Sequence, residues 1–580
     1  MLNRRLMYGV TLVVLGCLVA AWVQTAGNSV EVRDIRFEAA SGQRLSGLLY
    51  VPNTVSAQKP GPAILAIHGY INSRETQSPF AIEFARRGYV VLALDQTGHG
   101  FSDPPAFSAG FGGPAGLEYL QALDYVDVAR IGLEGHSMGG WAVQMAAAAR
   151  PDGYKAMVLA GSSTGTFGAP AGSATSPRNL LLIFSRFDEF STLMWGSETA
   201  AGIKQTEKLK TLFGTHEPVV VGRDYGDKIT GTARKLTMPA VTHPGDHLST
   251  EAVGDAIEWF DSTLDQNSVN TEQYIASKAQ IWYWKELATL AALIGLVILV
   301  FPLLALGLKY FGQDLAPPVV ARSTGAGVSK LTLGMMILIP VLTFFPLQNL
   351  ADVVLPANKF LPQQITNGVL LWAWGNGLLT LLMLWVAHRL KGTPGLVDSG
   401  LMLKWKQVPA ILTIAVTVFA SLYLLVYLAD AWLMVDMRFW VIALKAMSAM
   451  QMGTFLIYLV PFTLFFVVQS AGLHGQLRWY PDQPTKAMWC NALVLGVGYV
   501  GLLLAQYIPL LLGGTLMIAS QPLLSIVAFQ FVPIMLVVGL ISTFCWQRTG
   551  SVYLGACLNG LLVTWYLVAG TATQAIPFWL

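Results

Sequence analysis

Long apolar runs fill the second half of this 580-residue chain and constrain its fold more than any other feature. Only 12% of the residues are charged, whereas a soluble protein has about 25%. Backbone polar groups in a bilayer are satisfied when each run forms a helix of about 20 residues. Residues 284–580 are therefore predicted to form an all-α transmembrane bundle. Hydropathy predicts eight spans there, near 284–308, 330–350, 367–388, 408–429, 452–471, 488–512, 521–546 and 551–570.

A further apolar run, Leu6 to Val23, follows two arginines at the N-terminus. It is long enough to cross a bilayer, so we interpret residues 1–24 as an uncleaved signal-anchor helix. The alternative is a cleaved signal peptide, because the residues around Cys17 faintly resemble a lipoprotein cleavage site. The apolar run continues past Cys17, which argues against cleavage there. In both cases the positive end stays inside and residues 25–283 lie outside.

The distribution of basic residues predicts the topology of the spans. Lysine and arginine concentrate in the loop 389–407, whereas the loop 351–366 holds a single lysine. The positive-inside rule then predicts nine spans with the C-terminus outside. The segment 431–451 is interpreted as an interfacial helix or a re-entrant piece. The chain is thus predicted to be a multi-pass protein of the cell membrane, with residues 30–265 outside the cytoplasm and a linker at 266–283.

Residues 30–265 have the pattern of a globular domain. Val30 to Val51 is predicted to be an opening pair of strands. Short apolar strands then alternate with amphipathic helices, and the clearest strands are Ala63–Ile67, Tyr89–Leu94 and Val126–Leu133. This alternation predicts a mostly parallel sheet that is covered by helices on both faces.

A G-x-S-x-G pattern at residues 135–139 follows the third of these strands and precedes an alanine-rich helix. A serine on such a turn has a strained backbone and an exposed hydroxyl. A Cβ at Gly135 or Gly139 would clash with the neighbouring strand or helix, which explains the two glycines of this nucleophile elbow. Ser137 is the candidate nucleophile. The alternative is a glycine and serine turn with no chemical role.

Several motifs in order along the chain resemble the α/β-hydrolase family. They are H-G-Y at 68–70, D-Q-T-G-H-G-x-S at 95–102 and G-H-S-M-G-G at 135–140, followed by a late aspartate and a late histidine. The resemblance covers roughly residues 35–265 and leaves the membrane half uncovered. It implies the α/β-hydrolase fold and a serine hydrolase whose triad runs Ser, acid, His along the chain.

The resemblance places the acid just past the apolar strand at 179–185, which makes Asp188 the preferred candidate. Ser185 stands where the family usually has glycine, a small departure from its pattern. The remaining candidates for the acid are Glu189, Asp224 and Asp227.

The resemblance places the base in the loop after the last strand, directly before a helix. His247 precedes the predicted helix at 251–264 and is the preferred base. His243 is the alternative base, and it also fits an ordinary loop histidine. His216 is interpreted as a surface histidine. Asp246 is interpreted as a loop or helix-capping residue.

The resemblance assigns the two oxyanion-hole donors to the backbone N–H groups of Tyr70 and Met138. The loss of one such donor typically costs about 100- to 1,000-fold in rate. His68 is expected to brace the loop beside Tyr70. Asp95 and His99 are expected to hold the loop after their strand.

The sequence contains no zinc-binding or Walker-type motif, so no metal site and no cofactor are predicted. Its net charge of +3 gives no reason to expect a nucleic-acid partner. All four cysteines lie in apolar segments, so no disulfide framework is predicted; they are Cys17, Cys490, Cys545 and Cys557.

Three functions fit these residues. The first is a membrane-embedded serine hydrolase that cleaves an acyl ester or lipid among the membrane lipids. The second is a peptidase or amidase that uses the same triad, and the third is a transporter or sensor whose domain binds without turnover. The loop 161–176 and the insert 190–235 are candidates for shaping specificity, although the insert also fits an ordinary surface element. Polar candidates within the spans are Asn376, Gln506, Gln530 and Asn559.

Overall fold

The structure is a computed structural model that describes residues 2–264, 274–315, 330–391, 399–477, 480 and 482–579. Two parts are distinguished below: the sheet domain, residues 30–264, and the helical bundle, residues 2–24 and 274–579. Residues 266–273 of the predicted linker lie outside the described residues, as do residues 392–398 of the predicted basic loop.

The described residues of the sheet domain form one sheet of nine strands. The strands are β1 (Val30–Glu38), β2 (Arg44–Pro52), β3 (Gly61–Ile67), β4 (Val90–Asp95), β5 (Val126–His136), β6 (Ala156–Ala160), β7 (Leu180–Ile183), β8 (Asp224–Tyr225) and β9 (Arg234–Thr237). Their spatial order is β1-β2-β4-β3-β5-β6-β7-β9-β8. The strands from β4 to β9 in this order pair in parallel, while β1, β2 and β8 pair antiparallel at the edges. The predicted opening pair and the mostly parallel sheet are confirmed.

Apolar side chains on both faces explain why the central strands are buried. Side chains alternate between the two faces of a strand. Leu65 and Ile67 of β3 therefore enter one core, and Ile64 and Ala66 enter the other. A parallel sheet with both faces covered needs such continuous apolar strands rather than alternating ones.

Helices cover both faces of this sheet. They are α2 (Ser78–Ala85), α3 (Gly113–Gln121), α4 (Met138–Ala149), α5 (Ser191–Trp195), α6 (Glu207–Phe213) and α7 (Thr250–Thr263). Leu117 of α3 and Val143 of α4 pack into the first core. Phe84 of α2 and Phe260 of α7 meet in the second core, with ring centroids 5.4 Å apart. The elbow between β5 and α4 thus lies between two packed layers.

The helical bundle contains α1 and nine later helices among the described residues. They are α1 (Leu2–Gln24), α8 (Trp282–Phe311), α9 (Lys330–Leu342), α10 (Phe344–Val354), α11 (Gln364–Lys391), α12 (Val408–Leu433), α13 (Ala449–Gln476), α14 (Pro484–Leu511), α15 (Pro522–Thr549) and α16 (Tyr553–Gly570). Eight described helices are long and apolar enough to cross a membrane. The pair α9 and α10, bent by 44°, gives a ninth span if it is counted as one. The nine predicted spans fall on these elements.

The N-terminal helix α1 packs closely along α8. A Cβ added at Gly16 would lie 2.5 Å from the carbonyl oxygen of Ala288, and one added at Gly9 would lie 2.6 Å from Leu299 Cγ. Small residues let membrane helices approach in this way. The helix is therefore an integral member of the bundle.

The segment 431–451 is not an interfacial helix, so that interpretation is wrong, while the alternative of a re-entrant piece stays a prediction. After the end of α12 the chain forms a β-hairpin, β10 (Met437–Phe439) paired antiparallel with β11 (Ile442–Leu444). Trp440, at the tip of this hairpin, donates from Nε1 to the carbonyl of Pro244 at 3.0 Å. The hairpin therefore lies against the sheet domain.

Buried charges explain why this segment leaves the helical pattern. Arg438 donates to both carboxylate oxygens of Asp436, at 2.8 and 2.5 Å, and to Thr76 Oγ1 at 2.7 Å. Lys445 donates to Ser73 Oγ at 3.1 Å. A buried charge must be paired or hydrogen-bonded, and these partners lie just past β3 in the sheet domain. The hairpin brings the charges to them.

The C-terminal segment also returns to the sheet domain after α16. The backbone of Thr573 donates to Gly98 O and accepts from Ala106 N, each at 2.8 Å. Gln574 Nε2 donates to Tyr70 Oη at 2.8 Å. The C-terminal segment therefore lies on the same side of the bundle as the sheet domain, as an odd number of spans requires.

We expect Asp436→Ala to destabilise the protein strongly, because it removes the carboxylate hydrogen-bonded to the buried Arg438 guanidinium and leaves the more distant Glu75 Oε2, at 3.8 Å. Breaking a buried ion pair from one side costs about 3–5 kcal/mol in the free energy of unfolding. The measurement is thermal unfolding of the purified full chain in detergent. Glu31→Ala is the matched control, since its pair with Arg33 is exposed and exposed pairs contribute about 0–1 kcal/mol. Equal losses in both variants would contradict the role assigned to the hairpin charges.

Candidate active site

Ser137 stands on a strained turn between β5 and α4. Its φ is +54° and its ψ is −121°, in a region that side-chain-bearing residues rarely adopt. A Cβ at Gly135 would lie 2.3 Å from Gly139 O, and one at Gly139 would lie 1.9 Å from Ile67 O. Both glycines are therefore required by close backbone contacts, as the G-x-S-x-G pattern predicts.

The loop after β3 lies directly over this serine. A Cβ at Gly69 would lie 3.0 Å from Ser137 Cβ. Met138 is the first residue of α4, where backbone N–H groups have no carbonyl partner within the helix. Tyr70 and Met138 line the same cavity as Ser137. The two residues expected to supply the oxyanion hole thus lie in the same cavity as the serine.

The structure brings His243, and not His247, to Asp188. His243 Nδ1 lies 2.8 Å from Asp188 Oδ2. His247 Nε2 instead lies 2.6 Å from Gln77 Oε1. The expected pairing of His247 with Asp188 is wrong, and the alternative histidine occupies that position.

The path of the chain after β9 explains why His243 takes the position expected for His247. Phe187 N donates to Val241 O, and Phe187 forms a parallel bridge with Thr242. This bridge extends the β7–β9 pairing and sets the next residue, His243, beside Asp188. A 3-10 helix over His243–Leu248 then carries His247 away.

The surroundings of His243 and His247 shift their pKa values in opposite directions. Burial lowers the pKa of His243, but the Asp188 carboxylate, helped by Glu189 and Asp246, outweighs burial and raises that pKa above its ordinary value. Burial and the nearby His243 lower the pKa of His247 to about 3. His243 can therefore accept a proton near neutral pH, whereas His247 stays neutral.

Glu189, one of the alternative acids in the sequence analysis, holds the backbone of His243. Its Oε2 accepts from His243 N at 2.7 Å, and its Oε1 accepts from Tyr507 Oη of α14 at 2.9 Å. Burial, with the neighbouring Asp188 carboxylate, raises the pKa of Glu189 to about 7. A residue of the helical bundle thus reaches the loop that holds the histidine, and no motif in the sequence indicated this contact.

Asp224 and Asp227 lie at the edge of the sheet by β8, away from this pair, whereas three other residues singled out in the sequence hold loops near the site. Asp246, interpreted as a loop residue, is buried and accepts from Ser185 Oγ. His68 lies between the two loops, with Nδ1 2.7 Å from Gly69 O and Nε2 accepting from Gln96 N at 3.1 Å. Asp95 accepts from the backbone N–H groups of Arg74 and Phe101. These contacts hold the loops after β3 and β4.

The catalytic cavity, as we call the space beside Ser137, has a volume of about 490 Å³. Its lining is largely apolar and comes from both parts of the chain. The sheet domain contributes Trp141, Phe167, Phe190 and others, so the loop 161–176 and the start of the insert 190–235 both border the site. The helical bundle contributes Glu286, Trp440, Val441, Leu523, Ile526 and Gln530.

No metal centre is formed by the described ranges: no three His, Cys, Asp or Glu side chains are grouped closely enough there to hold an ion. Ser137, His243 and Asp188 instead supply the parts needed for nucleophilic chemistry. These are a hydroxyl on a strained backbone, a base and an orienting carboxylate.

Comparison with known proteins agrees with the fold of the sheet domain. Residues 62–240 match the family described as "alpha/beta hydrolase fold". With the sheet order given above, this confirms the expected α/β-hydrolase fold, which is followed by a region of long apolar helices.

Curated relatives match only part of their own length. Mouse (Mus musculus) dipeptidyl peptidase 8 is 31% identical over 139 residues, which are 21% of this chain and 16% of that protein. An uncharacterized protein of Mycobacterium bovis is 28% identical over 189 residues, 32% of this chain and 48% of that protein. The chain therefore spans less than half the length of either relative.

Solved structures align with the sheet domain at low identity. An esterase from Pyrococcus furiosus is 18% identical with a TM-score of 0.29, and the alignment covers 41% of this chain and 92% of that one. A thioesterase domain from the curacin biosynthetic pathway is 15% identical with a TM-score of 0.26, over 40% of this chain and 99% of that one.

The pH dependence of serine reactivity tests the environment of His243. The Glu189 carboxylate raises the pKa of His243, so Glu189→Gln lowers that pKa and keeps the histidine neutral at lower pH. We expect the pH midpoint for fluorophosphonate reaction at Ser137 to fall, because the loss of the carboxylate lowers the pKa of the histidine. The measurement is the labelling rate as a function of pH.

Glu118→Gln is the control for this experiment, because Glu118 is exposed and pairs with Arg150 on the surface. Its midpoint should equal that of the unaltered protein. A midpoint that rises in Glu189→Gln, or that does not move, would contradict the assigned electrostatics.

Proposed function

We propose that this chain, whose residues 30–264 form an α/β-hydrolase domain, is a membrane-embedded serine hydrolase that cleaves carboxylic esters. The observation that carries the proposal is the contact of 2.8 Å between His243 Nδ1 and Asp188 Oδ2, in a cavity that Ser137 also lines. Because Nδ1 is engaged by the carboxylate, Nε2 is the nitrogen available to exchange a proton with the serine.

The reaction follows from these groups. Ser137 Oγ attacks the ester carbonyl while His243 Nε2 takes its proton, and Asp188 stabilises the resulting imidazolium. The N–H groups of Tyr70 and Met138 stabilise the tetrahedral oxyanion. His243 then returns the proton to the leaving alcohol, which gives an acyl-enzyme on Ser137. A water molecule, activated by the same histidine, releases the acid and restores the serine.

The position of the enzyme in the cell is part of the proposal. Eight long apolar helices support membrane association, and the positive-inside rule favours a catalytic domain outside the cytoplasm in the cell membrane. Substrates would be acyl esters or lipids that reach the site from the membrane.

A serine peptidase or amidase is the second candidate. The local likeness to dipeptidyl peptidase 8 supports it, and the Glu286 carboxylate lines the catalytic cavity, where it would attract an ammonium group. Rates on aminoacyl amides and on acyl esters of matched size separate the two candidates. The ester proposal expects the higher kcat/KM on esters.

Hydrolysis of short acyl esters by the purified full chain tests the proposed triad. We expect Ser137→Ala and His243→Gln each to lower kcat by about 10⁴-fold or more, because each removes a triad member. His247→Gln is the matched control, since it alters the neighbouring histidine that contacts Gln77. It should keep most of the activity.

Full esterase activity in Ser137→Ala would refute the serine mechanism. A larger loss in His247→Gln than in His243→Gln would return the base to His247. If a fluorophosphonate probe fails to label Ser137 in the unaltered protein, a transporter or sensor with a non-catalytic domain becomes the better account.

A further inference from the structure

The helical bundle supplies one wall of the catalytic cavity. Leu523, Ile526 and Gln530 of α15 line it, together with Trp440 and Val441 of the hairpin. An ester has an acyl side and an alcohol side. This wall offers one of the two an apolar surface that belongs to the helical bundle.

The same face of α15 continues from the catalytic cavity into the bundle. Positions 523, 526 and 530 are followed at the same helical spacing by 534, 537 and 541, and residues three and four apart lie on one helix face. Ile534, Val537 and Ile541 line a second space, the bundle cavity. The face from Leu523 to Ile541 is about 27 Å long, close to the hydrocarbon thickness of about 30 Å.

The bundle cavity has the properties of a site for an alkyl chain. It has a volume of about 130 Å³ and lies between α8, α12, α15, α16 and the hairpin strand β11. Most of its lining is aliphatic. Leu293, Leu562 and Val563 in that lining are only half-buried, so the cavity reaches the outer surface of the bundle.

One hydrogen bond stands between the two cavities. Tyr566 Oη donates to Gln530 Oε1 at 2.8 Å. Gln530 lines the catalytic cavity and Tyr566 lines the bundle cavity. Both also line a small space of about 30 Å³ between them. Arg438 and Lys445, which border this space, are held by Asp436 and Ser73.

We propose that the substrate is a long-chain lipid ester whose acyl chain lies along this face of α15. Its carbonyl carbon is then at Ser137, and its chain passes Leu523 and Ile526 and reaches the bundle cavity when the Gln530–Tyr566 bond parts. The polar alcohol portion stays at the membrane surface, where it leaves for water. Hydrolysis yields the free fatty acid and the alcohol, with one water consumed. The inference rests on the proposed esterase activity.

The test is the acyl-chain preference of the full chain in phospholipid nanodiscs. The probes are p-nitrophenyl butyrate and p-nitrophenyl palmitate, and the readout is the palmitate-to-butyrate ratio of kcat/KM. Each buried methylene is worth about fourfold. Val537→Trp, which fills the bundle cavity, should therefore lower the ratio by about tenfold or more.

Two further variants test whether a change in the palmitate-to-butyrate ratio comes from the bundle cavity. Tyr566→Phe removes the hydrogen bond to Gln530 with almost no change in volume, so it should raise the ratio. Leu424→Trp places the same bulk on the outer surface of α12, where Leu424 is 52% exposed, and should leave the ratio unchanged. Opposite shifts in Val537→Trp and Tyr566→Phe cannot both result from instability.

The inference is overturned if Val537→Trp gives the ratio of the unaltered protein, or if Leu424→Trp lowers the ratio as much as Val537→Trp does. It is also overturned if Tyr566→Phe does not raise the ratio. Failure of the proposed esterase function gives a different result. In that case p-nitrophenyl butyrate is not hydrolysed, or its hydrolysis does not depend on Ser137.

Discussion

The close approach of three backbone segments around Ser137 is the constraint on which the active site depends. Gly139 lies so near the carbonyl of Ile67 that a Cβ would come within 1.9 Å of it. Ile67 ends β3, and the loop that carries Tyr70 begins directly after it. One contact therefore fixes the serine and the loop that carries Tyr70 relative to each other. A left-handed backbone at a serine is costly, and the packed strands and helices on both sides keep it in place.

The helical bundle completes this site rather than only tethering it. The hairpin charges of Arg438 and Lys445 hold Thr76 and Ser73, which follow the loop that carries Tyr70, and Gln574 holds Tyr70 from the C-terminal segment. Tyr507 reaches the carboxylate that supports His243. The two parts share buried polar contacts that would be left unsatisfied if they separated. These contacts give the long apolar helices a role beyond anchoring the sheet domain.

Most of the fold could be predicted from the sequence, because it follows from local patterns. Buried parallel strands appear as short apolar runs, spans appear as long ones, and the elbow has its own glycine pattern. The histidine that pairs with Asp188 was harder to predict, because His243 and His247 lie four residues apart in one short 3-10 helix and both line the catalytic cavity. The bridge from Phe187 to Thr242 decides between them, and such pairing across 55 residues leaves no periodic signal. The hairpin could not be predicted for the same reason, since Thr76 and Ser73, which bind Arg438 and Lys445, lie far back in the chain.

The most direct measurement of the central claim is the covalent intermediate itself. A p-nitrophenyl ester is mixed with the full chain, the reaction is stopped with acid before the steady state, and the peptides are mapped by mass spectrometry. We expect the acyl mass on the peptide that contains Ser137, formed as fast as nitrophenol is released. Release of nitrophenol with no acylated peptide, or with the acyl group on another residue, would contradict the account.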